Sequence, residues 1–272
     1  MREKANVLAM PAPWDLVAEG YAEITMAMFE QYAEEAIAVC DLDADASVLD
    51  VACGPGTLSL LLADQVASVH AIDFSEQMLL QMDQKISDAG FEHVKTQYGD
   101  GQALPYDADS FDAVFSMFGL MFFPDRNKGF SEIYRTLKPG GKIAVSSWAP
   151  VDQSPAMQMM FGALKIIKPE MPEPKMAMAS LENPEVFEQE LKDAGFKDIQ
   201  VQRVTKHFPV ESVQKFWLAM VKGSVPMLMV KQSMAEAEWA EKKWLALHYL
   251  HEQLPDTPTS ISSDAWLGTG LK

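Results

Sequence analysis

Two glycines and an aspartate form the part of the sequence best suited to binding a small ligand. Gly54 and Gly56 lie in a turn between a short apolar run and a predicted helix, and glycine lets the backbone approach a ligand closely. Asp73 ends the next apolar run, 19 residues after Gly54. An acid at that place can accept hydrogen bonds from both ribose hydroxyls of a nucleoside. The spacing therefore predicts a cofactor that contains a nucleoside.

Dinucleotides and S-adenosylmethionine (SAM) can both use this geometry, and two details favour SAM. Ser59 stands where the dinucleotide fingerprint Gly-x-Gly-x-x-Gly has its third glycine, which weakens a pyrophosphate-binding turn. Asp50 lies inside the first apolar run, and its charge would repel a diphosphate. SAM instead brings an ammonium and a sulfonium. An NAD-dependent oxidoreductase remains as the alternative.

An alternation of strands and helices must position these residues. Five short apolar runs are predicted as strands, at residues 47–52, 68–73, 94–98, 112–116 and 142–148, and predicted helices lie between most of them. Strands at this spacing indicate βαβ units and a mostly parallel sheet, whose ligands bind at the carboxyl ends of the strands. We predict an α/β fold with a Rossmann-like, doubly wound sheet of seven mostly parallel strands.

Helical additions are predicted on both sides of this sheet. Residues 14–40 carry an apolar stripe at three- and four-residue steps, which predicts one long amino-terminal helix. After Trp148 we predict helices and two further strands, 199–208 and 260–271, with the last strand at an edge. The prolines and methionines of 149–182 suit either a lid over a substrate or an ordinary helical excursion.

We expect the chain to form a single domain, 1–272. Its three parts are an amino-terminal helical segment (1–44), a cofactor-binding core (45–148) and a region of cap helices and closing strands (149–272).

Four segments resemble, in the same order, the motifs of the class I SAM-dependent methyltransferases, particularly the branch of ubiquinone and menaquinone biosynthesis. These segments are 48–57, 70–75, 99–112 and 135–142. Ala52 replaces the commoner first glycine of the first motif, a departure that several relatives share. The resemblance implies transfer of a methyl group from SAM to a small molecule.

The resemblance also implies which residues contact the cofactor. Asp50, Gly54 and Gly56 would surround the methionine end of SAM, and Asp73 would hold the ribose. Phe74 and Met78 would pack against the nucleoside, and a carbonyl at or beside Ser116 would meet the ammonium. The implied contacts are completed by Ala52 in the first motif and by Asp100, Gly101 and Gln102 at the adenine.

An apolar stretch after the fourth strand is the candidate site for the methyl acceptor. The residues that we expect to line it, although each also suits a core, are Met117, Phe118, Met121, Phe122 and Trp148. By resemblance, Tyr21 faces the transferred methyl group. Phenols, quinols and thiols are the acceptors that such a pocket favours. We assign no catalytic residue and no metal ligand, and a non-catalytic SAM-binding protein remains a second alternative.

Composition argues against several classes of partner. The formal net charge is −17, only four arginines occur, and no basic stripe is present, so we expect no binding to nucleic acid. An anionic membrane surface would also repel the chain. Cys40 and Cys53 predict neither a disulfide framework nor a metal site. With no signal-peptide pattern, we expect a cytoplasmic protein, and the sequence does not predict its oligomeric state.

Overall fold

The strands of the computed structural model, which describes residues 6–171 and 181–272, form one seven-stranded sheet. In chain order they are β1 (Ser47–Val51), β2 (Ser68–Asp73), β3 (Val94–Tyr98), β4 (Phe111–Met117), β5 (Leu137–Trp148), β6 (Lys197–Val210) and β7 (Thr259–Leu271). Their order across the sheet is β3-β2-β1-β4-β5-β7-β6. The pairs among β1 to β5 are parallel, and β7 is antiparallel to both of its neighbours. The predicted fold class is confirmed.

Helices cover the sheet and extend beyond it. The α-helices of the described residues are α1 (Pro11–Gly20), α2 (Met26–Cys40), α3 (Thr57–Leu62), α4 (Glu76–Ala89), α5 (Arg126–Thr136), α6 (Pro155–Ile167), α7 (Pro184–Asp193), α8 (Val213–Gly223), α9 (Val225–Gln232) and α10 (Glu236–Gln253). Local residue types set both ends of α4. The Ser75 hydroxyl accepts a hydrogen bond from the Met78 N–H, and Gly90 ends the helix in a left-handed conformation.

The central strands are buried because helices lie on both faces of the sheet. Val48, Leu49 and Val51 of β1 are fully buried, as expected for a parallel strand covered on both sides. Asp50 lies on the same strand and is 1 % exposed. The carboxyl ends of β1, β2 and β4 meet at one edge of the sheet, and Asp73 ends β2 there.

The amino-terminal helix differs from the single helix predicted over 14–40. α1 and α2 are joined by a π-helical turn, Tyr21–Thr25, which widens the helix at the point where it contacts α8. The Thr25 hydroxyl donates to the Gly223 carbonyl oxygen at 3.4 Å. A β-carbon on Gly20 would collide with the Lys222 carbonyl oxygen. The apolar stripe predicted the helical face, but it carried no sign of this tertiary contact.

The last strand is not an edge strand, and that prediction is wrong. β7 pairs with β5 on one side and with β6 on the other, so β6 forms the edge. Ala265 of β7 lies opposite Trp148 on one side and opposite Val204 on the other. The apolar pattern identified both strands, but strand order depends on long-range pairing that the local pattern does not encode.

A second apolar core lies between α6, α8, α9 and α10, which we call the helical cap. Leu164 and Ile167 of α6 are each 1 % exposed, and Leu250 of α10 is fully buried. The sequence analysis did not predict α9. Part of the candidate lid, 172–180, lies outside the described residues, so the mobility of this segment stays a prediction.

Candidate functional site

A cavity of about 1600 Å³ opens at the carboxyl ends of β1, β2 and β4 and extends under the helical cap. It is larger than the roughly 300–1,000 Å³ of a typical single-ligand pocket, so it can hold a cofactor and an acceptor together. One half contains Asp50, Asp73 and Asp100, and we call it the acidic half. The other half is lined mainly by aromatic and methionine side chains, and we call it the apolar half.

Asp73 organises the glycine turn at the floor of the acidic half. Its Oδ2 accepts a hydrogen bond from the Gly54 N–H at 2.8 Å, and its Oδ1 accepts one from the Ser75 N–H at 2.8 Å. Gly54 and Gly56 both have positive φ, at 56° and 87°, which glycine adopts without strain. The Asp73 carboxylate therefore fixes the turn from the end of the neighbouring strand.

Asp50 gives the same half a second buried carboxylate. The Ser59 hydroxyl donates to Asp50 Oδ2 at 2.7 Å, so the residue that breaks the dinucleotide fingerprint is a partner of this acid. Burial raises the pKa of Asp50 to about 7, the Ser59 hydrogen bond opposes that rise, and the charge of Asp73 adds to it. Burial likewise raises the pKa of Asp73 to about 6 against the pull of its backbone donors. Two such carboxyls favour a cationic ligand.

Ala52 and Gly119 meet where β1 and β4 end. Ala52 has φ 56°, a left-handed conformation that costs energy in a residue with a β-carbon. A β-carbon added to Gly119 would collide with the β-carbon of Ala52. Glycine at 119 thus makes room for alanine at 52, the position where glycine is commoner in relatives.

The turn after β3 forms the outer wall of the acidic half. Asp100 Oδ1 accepts a hydrogen bond from the Gln102 N–H at 2.9 Å, and Gln102 Oε1 accepts one from the Asp125 N–H at 2.9 Å. A β-carbon on Gly101 would lie 2.7 Å from Cε2 of Phe123, so the turn packs closely against that ring. These contacts hold the exposed Asp100 carboxylate at the cavity.

The amino-terminal helix α1 closes the site from above. Asp15 Oδ1 accepts hydrogen bonds from the Ser75 hydroxyl at 2.6 Å and from the Gln77 N–H at 3.3 Å, which ties α1 to the first turn of α4. Tyr21, in the π-helical turn, lies in the cavity wall. Burial raises the pKa of Tyr21, and the charge of Asp73 adds to the rise, so this phenol stays protonated at neutral pH.

An aromatic cluster, Tyr21, Phe29, Tyr32, Phe118 and Trp148, lies at the junction of the two halves. The ring centroids of Phe118 and Trp148 are 4.2 Å apart, and those of Phe29 and Phe118 are 4.9 Å apart. Phe118 has φ 58°, and its N–H donates to the Ser146 hydroxyl at 2.9 Å. A strained backbone is thus held by packing and a hydrogen bond at the end of β4.

Most of the candidate residues come together around this cavity. Those in its wall are Tyr21, Asp50, Ala52, Gly54, Asp73, Phe74, Met78, Asp100, Gly101, Gln102, Met117, Phe118, Phe122 and Trp148. Their individual roles stay predictions.

Three candidate residues lie outside the wall. A β-carbon on Gly56 would lie 2.7 Å from Met82 Cγ, and Met121 is 2 % exposed in the core beside Ser147. Ser116 is fully buried, and its hydroxyl has no partner among the described residues. A central strand is buried on both faces. An apolar stretch in the sequence therefore does not show which of its residues line a pocket and which pack in the core.

Although Met157 and Met160 lie in the segment 149–182 that was a candidate lid, much of the apolar half comes from residues that were not predicted as site residues. Its wall includes Phe29, Met157, Met160, Phe208, Phe216, Met220 and Ser263, which come from α2, α6, β6, α8 and β7. None of them stands in one of the four motif segments. Among the wall residues that the structure describes, none is a histidine.

The described part of the chain lacks two other kinds of feature. No group of three or more histidine, cysteine or acidic side chains is arranged to hold a metal ion there. In those same residues, no helix is both long enough and apolar enough to cross a membrane.

Comparison with known proteins places the acidic half within a recognised domain. Residues 48–141 match a family model described as a methyltransferase domain. A demethylmenaquinone methyltransferase of Shouchella clausii is 37 % identical over 123 residues, which are 44 % of this chain and 52 % of that protein. The enzyme of the same name from Bacillus subtilis is 30 % identical over 149 residues, 54 % and 64 % of the two chains. The match thus spans about half to two thirds of these relatives.

Solved structures show the fold over a larger part of the chain. The YcgJ protein of Bacillus subtilis has a TM-score of 0.56 at 18 % identity, covering 89 % of this chain and 98 % of that one. The cyclase SpnF has a TM-score of 0.53 at 18 % identity, covering 89 % and 80 %. At these identities the likeness concerns the fold alone.

Proposed function

We propose that this chain, whose residues 48–141 match a methyltransferase domain, is a class I SAM-dependent methyltransferase that transfers a methyl group from SAM to a small-molecule acceptor. The predicted resemblance to the quinone-biosynthesis branch is confirmed by the family match and by the named relatives. Because the cavity wall draws on the amino-terminal segment, the core and the cap, we treat 1–272 as one functional domain.

The observation that carries the proposal is the pair of buried carboxyls at the glycine turn. Asp50 and Asp73 give the acidic half a negative charge that suits the ammonium and sulfonium of SAM and opposes a diphosphate. With SAM bound, Asp73 would turn its carboxylate to the ribose while still supporting the turn. Phe74 and Met78 would pack against the nucleoside, and Asp100 would lie at the adenine.

The rest of the cavity wall has to align the acceptor with SAM and to exclude water. SAM supplies a methyl group already activated on sulfonium, so the protein has to orient the acceptor on the line from nucleophile to methyl carbon to sulfur. The aromatic cluster lies between the acidic and apolar halves, where this line would run. Tyr21 would act there as a protonated phenol that donates hydrogen bonds.

A quinol, a phenol or a thiol is the acceptor class that we propose. Phenols and thiols, with ordinary pKa values of about 10 and about 8.5, lose a proton far more easily than aliphatic alcohols do, and their anions are good nucleophiles. The apolar half suits the aromatic skeleton of a quinol, and the relatives named demethylmenaquinone methyltransferase support that choice. The fold by itself does not, because a cyclase shares it.

Ligand binding distinguishes the proposed methyltransferase from the first alternative, an NAD-dependent oxidoreductase. SAM and S-adenosylhomocysteine (SAH) should bind in the micromolar range and raise the melting temperature, whereas NADH should not. Asp73→Ala provides a binding-defective control. Calorimetry in which NADH binds more tightly than SAM would reject the proposal in favour of an oxidoreductase.

Transfer of label tests the activity itself. The protein is incubated with a cell extract and SAM that carries an isotopically labelled methyl group, and products are found by mass spectrometry. A labelled small molecule that depends on the protein supports the proposal. Tight SAM binding with no labelled product from any extract or from a panel of quinols, phenols and thiols would identify a non-catalytic SAM-binding protein.

A further inference from the structure

One hydroxyl-bearing strand residue interrupts the apolar half of the cavity. Ser263 of β7 lies in the wall together with Ile261, two residues earlier on the same face of the strand. Apart from Tyr21 at the junction of the two halves, three other hydroxyls of the wall, those of Thr25, Ser224 and Ser233, are not available to a ligand, and the Ser233 hydroxyl donates to the Val230 carbonyl oxygen at 2.8 Å. The Thr25 hydroxyl donates to the Gly223 carbonyl oxygen, and the hydroxyl oxygen of Ser224 is itself buried although that residue borders the cavity.

Two buried residues hold Ser263 in place. The Tyr32 hydroxyl donates to the Ser263 carbonyl oxygen at 2.7 Å, and the Ser263 hydroxyl oxygen lies 3.0 Å from that of Ser154. Tyr32 also packs edge-on against Phe118 and Trp148, with ring centroids 5.2 and 5.8 Å away. Ser263 is therefore anchored directly to the aromatic cluster, beside the junction of the two halves.

The hydrogens of the serine pair show which hydroxyl is free. The two hydroxyls carry two hydrogens but share one contact, and Ser154 already accepts from the Asp264 N–H at 3.4 Å. If Ser263 donated to Ser154, the Ser154 hydrogen would be left without an acceptor in a fully buried place, which is costly. If Ser154 donates to Ser263, the remaining hydrogen belongs to Ser263 at the cavity wall. The second arrangement leaves no buried donor unpaired once a ligand is present.

We propose that the Ser263 hydroxyl donates a hydrogen bond to an oxygen of the methyl acceptor and so sets its orientation. The acceptor would then carry a carbonyl, ether or phenolic oxygen on an otherwise apolar skeleton. Ser263 is a positioning and specificity residue in this proposal, and Ser154 holds it in the donating state. The inference rests on the proposed function, because it places the acceptor in the apolar half.

A pair of unreactive probes isolates the hydrogen bond. 1-Tetralone and tetralin share one bicyclic skeleton and differ by one carbonyl group. Their dissociation constants are measured on protein saturated with SAH, using tryptophan fluorescence and calorimetry. The ratio of the tetralin constant to the tetralone constant should fall about two- to tenfold in Ser263→Ala, with tetralin binding unchanged. Ser263→Thr, which keeps a hydroxyl, should restore the ratio.

A matched control variant and a second substitution of Ser263 let the experiment decide for or against the proposed hydrogen bond. Ser262→Ala, on the opposite face of β7, should leave the ratio within about twofold of the wild type, since it keeps the Ser263 hydroxyl and its Ser154 partner. If Ser263→Ala does not fold, Ser263→Cys replaces it, because a thiol is a weak donor and should lower the ratio too. An unchanged ratio in either variant, or no tetralone binding to the wild type, rejects the inference. If the wild-type protein does not bind SAH, that result would instead reject the proposed function.

Discussion

At the scale of single residues, the site depends on a few side chains that each do two jobs. Asp73 fixes the glycine turn through the Gly54 and Ser75 N–H groups and, in our proposal, also binds the ribose. Ser59, which the sequence analysis used only as evidence against a dinucleotide, is the hydrogen-bond donor to Asp50. Replacing Asp73 will therefore change both the shape and the charge of the turn, and replacing Ser59 will remove a hydrogen bond that opposes the raised pKa of Asp50.

Replacing Asp73 tests the double role. Asp73→Ala should weaken SAM binding by about 1.5–3 kcal/mol, or roughly ten- to a hundredfold, since a charged acceptor is lost. The freed Gly54 and Ser75 N–H groups should also lower the melting temperature. Calorimetry and thermal unfolding give the two values, with the exposed Asp64→Ala as control. Wild-type SAM affinity in Asp73→Ala would refute the ribose role.

The raised pKa values of Asp50 and Asp73 predict how SAM affinity depends on pH. SAM favours the ionised carboxylates, so its binding releases protons where the free protein holds them, below about pH 7 and 6 respectively. Affinity should fall about tenfold from pH 8 to pH 6, and Asp50→Asn should remove most of that slope. Calorimetry at pH 6, 7 and 8 measures it. An equally steep slope in Asp50→Asn would contradict the assignment.

The ligand-free fold should respond in the opposite sense. Both pKa values are raised from 3.8, so between about pH 4 and 7 the folded state binds more protons than the unfolded state. The contribution of these groups to stability is therefore present at low pH and is lost as the pH rises through 6 and 7.

The contact of Ala52 with Gly119 predicts a coupled pair of substitutions. Gly119→Ala should lower the free energy of unfolding by about 1–3 kcal/mol, because its new β-carbon collides with that of Ala52. In the Ala52→Gly background the same substitution should cost much less. Urea unfolding of the four proteins gives the coupling energy. Additive effects would show that the clash relaxes by another route.

The acidic half could be predicted from the sequence because its residues lie in one continuous segment of strand, turn and helix. The residue types and spacing of Asp50, Gly54 and Asp73 indicate a ligand site from the sequence alone. The apolar half could not be predicted in this way. Tyr32 and Ser263 are in contact across 231 positions of the chain, and a serine in a strand has no distinctive local pattern.

At the scale of secondary-structure elements, the amino-terminal helices connect the acidic half of the cavity to the helical cap. α1 contacts α4 through Asp15, and the π-helical turn contacts α8 through Thr25 and an ion pair between Glu23 and Lys222 at 2.9 Å. The apolar stripe over 14–40 predicted helix but not the widened turn, because the turn follows from contact with α8. The start of α7 is instead set locally, because the Asn183 side chain accepts hydrogen bonds from the Glu185 and Val186 N–H groups.

Removing the Asp15 carboxylate should loosen α1 without disturbing the sheet. Asp15→Ala removes the acceptor for the Ser75 hydroxyl and the Gln77 N–H, so amide exchange in residues 11–25 should accelerate and SAM should bind more weakly. Hydrogen-exchange mass spectrometry follows both regions, with Glu19→Ala on the same helix as control. Faster exchange throughout the sheet would mean that Asp15 supports the whole fold rather than this contact.

At the scale of the whole molecule, charge and cavity shape act together. The chain carries a net charge of −17, and the acidic half adds two buried carboxyls at the end of a deep cavity. Such a field attracts cations over a distance set by the ionic strength. It gives a cationic cofactor an advantage before any contact is made.

The rate of SAM association should therefore fall as salt is added. Between about 0.02 and about 0.5 M NaCl the association rate constant should drop several-fold, because the Debye length shrinks from roughly 20 Å to roughly 4 Å. SAH lacks the sulfonium charge and should be affected much less. Stopped-flow fluorescence compares the two ligands, and equal salt dependence would show that steering by charge is absent.

The place of β7 between β5 and β6 has a consequence for how the protein is made. β6 leaves the ribosome before residues 259–271 do, yet its described neighbour in the sheet is β7 alone. Until β7 emerges, the edges of β5 and β6 present unpaired backbone groups, which are templates for wrong pairing with other nascent chains. Ile261 and Ser263 join the wall of the apolar half only with that insertion. A ribosome stalled before residue 259 would therefore hold a chain whose glycine turn is already translated and whose apolar half is not yet completed by β7.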